Sequence, residues 1–242
     1  MKKLLATLLL FTFLNKSFAQ VNLYGGVEDA YRQFMLQSHS QINKQILTDF
    51  LGVGGDKRFE SSQWLQGGAT NNFDVTIAGD YLFNYDFLGH ELHAKWKDTN
   101  IVVNTSYVKR FFLVKDGRTH SFVKSPAVDA GGKYFFESLA FDEETNDSAK
   151  IQLLKLRTIK QKKVDKNSYL ANYSGDYNDE YDNSIEYYVV MPDKTFTKVK
   201  LNKKSLTGAL GKYKDRSQTY FKQIDQVNEE TAGGLIRYLN AE

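Results

Sequence analysis

From Gly55 onward the chain stops reading as helix, and this constrains the fold more than any other feature. Short β-branched and aromatic runs follow one another: Trp64-Leu65, Val75-Thr76-Ile77, then residues 81–85, 92–96, 101–103, 108–114, 121–123 and 134–136. Gly, Asn and Asp separate them, as hairpin turns require, with Asp116-Gly117 the clearest case. Strands this short and this closely spaced predict an antiparallel sheet or partial barrel. Two further strands are expected at residues 187–191 and 196–201.

Helical spacing flanks this body. Val27, Ala30, Tyr31, Phe34 and Met35, then Ile42, Ile46, Leu47 and Phe50, recur at i, i+3/i+4 until Gly52, Gly54 and Gly55 end the pattern. Beyond residue 201, Asn202 and Asn228 stand where helix caps are needed. The second precedes Ala232, Leu235, Ile236 and Leu239, an apolar stripe interrupted by Gly233-Gly234. Two adjacent glycines cost a helix about 2 kcal/mol against alanines, so that helix must lean on the body. The expected class is therefore α+β: a helical segment at 20–56, a β-rich body at 57–200 and a helical tail at 201–242.

The first 19 residues read as a signal peptide. Met1-Lys2-Lys3 is basic, residues 4–14 are apolar, and Ser17-Phe18-Ala19 places small residues at −3 and −1 of a cleavage site. The apolar run rises only about 16 Å as a helix, too little for a ~30 Å hydrocarbon core. The mature chain is expected from Gln20, soluble, in the periplasm or secreted, with no transmembrane segment. Lys2, Lys3 and Lys16 leave with the leader, so the 32 basic residues fall to 29 and match the 29 acidic ones. A neutral chain has no charge-driven attraction to nucleic acid. The chain has no Cys, which excludes disulfides, thiolate metal sites and Cys nucleophiles. Its 41% hydrophobic share must supply the core alone.

No catalytic set assembles from spacing. His90 and His93 are three apart where a helical zinc motif needs four, and in a strand their rings point to opposite faces. His93 shares a polar face with Glu91 and Lys95, and both histidines read as exposed strand residues, so no metal is expected. His39 and His120 read as isolated. Ser106-x-x-Lys109 and Ser121-x-x-Lys124 lie in strand sequence without the partner motifs of penicillin-recognising enzymes. Gly52 to Lys57 lacks the ending of a phosphate loop. The basic stretch 150–166 reads as a strand with a solvated Lys/Arg face.

The most unusual stretch is Tyr169, Tyr173, Tyr177 and Tyr181, four apart, interleaved with Asp176, Asp179, Glu180 and Asp182. Extended, the rings share one side. Three readings stand: rings that cover the sheet, a glycan or peptide contact, and a calcium site, although the EF-hand pattern fails at Tyr181 and Tyr187.

The Ser-Phe-Ala/Gln junction, Trp64-Leu65-Gln66-Gly67, residues 81–86, Lys203-Lys204-Ser205-Leu206 and Tyr238-Leu239-Asn240 occur in an order that resembles a group of exported proteins of Bacteroidota-type bacteria. The resemblance implies export and carries no activity or site residue. In such bacteria Asp147-Ser148-Ala149 also resembles an acceptor for periplasmic O-glycosylation, at Ser148. Together these features point to an exported, non-enzymatic binding or envelope-associated module without cofactor, whose partner is an envelope protein or a glycan. The rival is a secreted hydrolase acting on glycans through two carboxylates, with Asp80, Asp86, Glu91 and Glu137 as candidates.

Overall fold

The computed structural model describes residues 58–97, 99–140, 150–162 and 180–241. Ten strands form one antiparallel sheet: β1 Leu65–Asn71, β2 Thr76–Asp86, β3 Glu91–Trp96, β4 Thr99–Val103, β5 Val108–Lys115, β6 Arg118–Val123, β7 Phe136–Ser138, β8 Gln152–Lys162, β9 Glu180–Val190 and β10 Phe196–Val199. Their order across the sheet is β10-β9-β8-β7-β6-β5-β1-β2-β3-β4. Three short helices close the chain, α1 Lys203–Ala209, α2 Lys214–Phe221 and α3 Glu229–Asn240.

This corrects the α+β expectation. The described chain is mostly antiparallel sheet, and its α-helices are these three C-terminal ones. The helical segment expected at residues 20–56 lies outside the described residues, as does the expected signal peptide. Within the sheet, β9 begins at Glu180, seven residues before the strand expected at 187. The Asp116-Gly117 hairpin forms as expected, with φ of 52° and 74°, the paired left-handed conformations of a type I′ turn.

The sheet cannot be flat. β4 and β5 run in the same direction with β3, β2 and β1 between them, which sets them four strand spacings, about 19 Å, apart. Yet only residues 104–107 join Val103 to Val108, and five Cα steps reach at most about 18 Å. Part of that link is a 3-10 turn, Thr105–Tyr107, which shortens it further. The first five strands therefore roll up until β4 runs nearly into β5.

Alternation fills the roll. Tyr81, Phe83 and Tyr85 of β2, Leu92 and Ala94 of β3, Ile101 and Val103 of β4, and Phe111 and Leu113 of β5 all point inward and are buried. Phe111 stacks on Phe122 with ring centroids 4.6 Å apart, and Tyr85 packs against Phe111 at 5.1 Å. The second core lies under the helices, where Leu153 of β8 and Val189 of β9 meet Leu206, Phe221, Leu235, Ile236 and Leu239. Asn202 Oδ1 caps α1 through the Ser205 amide at 2.8 Å, and Asn228 and Thr231 form a capping box on α3. Gly233 is required by contact: a Cβ there would lie 2.1 Å from the Leu139 carbonyl oxygen. The helix thus presses its glycine side onto the chain just after β7.

Candidate functional site

Between the two cores the same sheet face turns polar. Along β8, Leu153 belongs to the helix-backed core and Ile159 to the rolled core; Lys155 and Arg157 lie between them on the same face. Cross-strand register extends this face in a row, Phe111↔Phe122↔Glu137↔Lys155↔Tyr187. A cavity of about 750 Å³ opens there, at the mouth of the roll. Phe87, Phe122 and Phe135, each almost wholly buried, back it, and Lys115, Arg118, His120, Lys155 and Arg157 line it with Glu60, Asp116 and Glu137.

The charges form a chain of contacts. His120 Nδ1 is 2.6 Å from Glu137 Oε1, and Lys155 Nζ is 3.0 Å from Glu137 Oε2. Lys155 also reaches Glu229, in the first turn of α3, at 3.1 Å, and the Tyr187 hydroxyl donates to Glu229 at 2.7 Å. On the other side Lys115 lies 2.9 Å from Glu60, and Arg157 lies 3.7 Å from Glu60 with its guanidinium 4.4 Å from the Phe87 ring centre. Arg118 is exposed at the rim beside Asp116.

These contacts set protonation. The Glu137 hydrogen bond raises His120 above its ordinary value, against the opposing effect of burial. For Glu137, burial pushes upward, but His120 and the Lys155 charge outweigh it and hold the carboxyl below its ordinary value. Burial lowers Lys155, and Glu137 with Glu229 more than restores it. Glu137 is thus held as a carboxylate and His120 is biased towards imidazolium.

The sequence candidates distribute unevenly. Tyr169, Tyr173, Tyr177, Asp176, Asp179 and Ser148 lie outside the described residues. Tyr181 packs, half-buried, against the rolled core from β9, and Asp182 is exposed beside it, with its backbone paired to Lys160. Of the four carboxylates proposed for hydrolysis only Glu137 lines the cavity; Asp80 is exposed on β2, while Asp86 and Glu91 sit opposite each other on β2 and β3. The sequence reading missed His120, whose partner is 17 residues away across β6 and β7. It also placed Lys155 and Arg157 on a solvated face. That is corrected: their side chains are only 17% and 19% exposed, because Glu137, Glu229 and Glu60 cover them. His93 is corrected likewise, being buried.

Among the described residues no helix is long and apolar enough to cross a membrane. Comparison of the chain with protein-family models, with curated proteins and with solved structures finds no match in any of the three.

Proposed function

We propose that the chain is a non-enzymatic binding module of the cell envelope or its surroundings, and that the cavity at the mouth of the roll holds an acidic saccharide. The observation that carries this reading is the cavity's composition. Four formal cations, Lys115, Arg118, Lys155 and Arg157, line it beside the carboxylates Glu60, Asp116 and Glu137, and the exposed Ile185 offers an apolar contact to a sugar ring. Glu60 and Glu137 are already bound to cations, which leaves Arg118 at the rim to meet a carboxylate or sulfate bidentately. The leader-like pattern of residues 1–19 supports the same reading, since an exported chain would meet such glycans.

The hydrolase alternative finds less support. Glycoside cleavage needs one carboxyl group that stays protonated to serve as general acid. Glu137 is held the other way, as an ion, by His120 and Lys155.

Binding of the purified full chain to a panel of neutral and acidic oligosaccharides tests the proposal. Acidic members should bind, more weakly as salt rises, and Arg118→Ala should weaken binding about tenfold while far-ultraviolet dichroism stays unchanged. A panel without any acidic binder, or an Arg118→Ala protein that binds as before, refutes the assignment. Polysaccharide turnover that Glu137→Gln abolishes would replace it with hydrolysis.

A further inference from the structure

The outer face of the roll carries a second cluster that the cavity does not use. Asp86 closes β2 and Glu91 opens β3, directly opposite each other, and His93 follows two residues later opposite Asn84. Direct opposition and a spacing of two put all three side chains on one face, the face away from Phe87 and the cavity. One donor atom from each lies within 4.8 Å of the other two.

Three observations indicate what the cluster is for. His93 is only 5% exposed, and its buried Nε2 makes no hydrogen bond. A buried imidazole nitrogen without a hydrogen bond is costly enough that native structures rarely leave one. That nitrogen lies 3.4 Å from Glu91 Oε2. Two ligands each about 2.05 Å from a tetrahedral zinc ion are separated by about 3.3 to 3.4 Å, so the pair already spans one edge of such a site. Gly89 then leaves the space open: a Cβ there would lie 2.8 Å from Asp86 Oδ2 and 3.3 Å from Glu91 Cδ, between the two carboxylates.

Asp86 is held in place for the role. Arg58 donates from Nε to Oδ1 at 3.0 Å and from Nη2 to Oδ2 at 2.6 Å, and the Leu88 amide donates to Oδ1 at 2.9 Å. Oδ1 is saturated, while Oδ2 keeps one lone pair towards the gap at Gly89. Ligating carboxylates are commonly oriented by such outer partners. Arg58 neutralises Asp86, and Glu91 remains as the net negative charge that attracts a cation.

We propose that Asp86, Glu91 and His93 form a binding site for a zinc-like divalent transition metal, with a fourth position for water. One imidazole and two carboxylates suit such an ion; Ca²⁺ requires six to eight oxygens. His90 stands outside the group of three converging donors; its ring packs edge-on against Tyr134 at 4.5 Å.

The test uses the full chain without a histidine tag. Equilibrium dialysis against Zn²⁺ should give one bound ion per chain, and Co²⁺ should show the intense visible bands of tetrahedral coordination. Glu91→Gln, at a half-exposed position, and Gly89→Ala, which alters no donor, should each weaken Zn²⁺ binding at least tenfold. Asp80→Asn, an exposed carboxylate elsewhere on β2, should leave it unchanged. Sub-stoichiometric binding by the unaltered chain, or full affinity in both Glu91→Gln and Gly89→Ala, overturns the site. Neither result bears on the saccharide cavity, which is assayed separately.

Discussion

The rolled strands and the helix-backed strands solve the same problem by different means. In the roll, sheet packs on sheet, and large rings fill the interior: Tyr85, Phe83, Phe111, Phe122 and Phe135 are nearly inaccessible to water. At the other end β8, β9 and β10 stay open, and three short helices cover one face with mostly aliphatic side chains and the single buried ring of Phe221. A curled sheet encloses a wide interior, which needs aromatic volume; under the helices mainly Leu, Ile, Val and Ala fill the space. The two solutions meet along β8, and their meeting line is where Lys155 and Arg157 find room to enter. The cavity is a product of that mismatch.

The largest test of this comparison is truncation of each core. Phe111→Ala should cost about 3 to 5 kcal/mol and Leu235→Ala about 2 to 5 kcal/mol, read from urea unfolding followed by near- and far-ultraviolet dichroism. Because β7, β8 and β9 connect the cores in one sheet, both variants should unfold in a single coincident transition. Separate transitions in Leu235→Ala would mean that the helix-backed end is a unit of its own.

Much of this was legible before the structure, and the illegible part has a physical cause. A run of aromatic residues marked 81–85 as a strand, and capping chemistry located Asn202 and Asn228 ahead of helices that do form. Asp116-Gly117 declared its turn. Alternation says which side chains share a face, however, and not what covers that face. Lys155 and Arg157 therefore read as solvated, although Glu229 arrives from 74 residues away to meet Lys155. His120 read as isolated for the same reason. The order of strands was equally hidden, since nothing local to residues 65–71 says that β5 will pair with them.

A smaller effect sharpens the helix side. Gly233→Ala should gain up to about 1 kcal/mol of helix propensity, yet its Cβ would strike the Leu139 carbonyl. Overpacking of that kind costs about 1 to 3 kcal/mol, so a lower melting temperature is expected. A stabilised variant would show that α3 floats on the sheet and does not press on it.

The smallest effect lies on the boundary itself. The raised value of His120 contributes stability below its ordinary 6.5 and loses it as pH rises through the raised value. The lowered value of Glu137 contributes above 4.5 and loses its share as pH falls through the lowered value. The pair therefore supports the fold most strongly between those two limits. In Glu137→Gln the His120 ring should titrate at a lower pH by nuclear magnetic resonance, and the alkaline loss of stability should shrink. An unmoved His120 titration would remove the boundary pair from the account.

The placement of β1 has a consequence for how the molecule is made. One of its neighbours, β2, is synthesised directly after it, but the other, β5, emerges only once residue 108 has been added, as the pairing Gln66↔Val114 shows. Until then a nascent four-strand meander presents the naked flank of β1, with amides and carbonyls ready to template a foreign strand. The stretch from 108 to 115 is what seals it, so a ribosome stalled before that point would leave a fragment far more prone to clump than the finished chain.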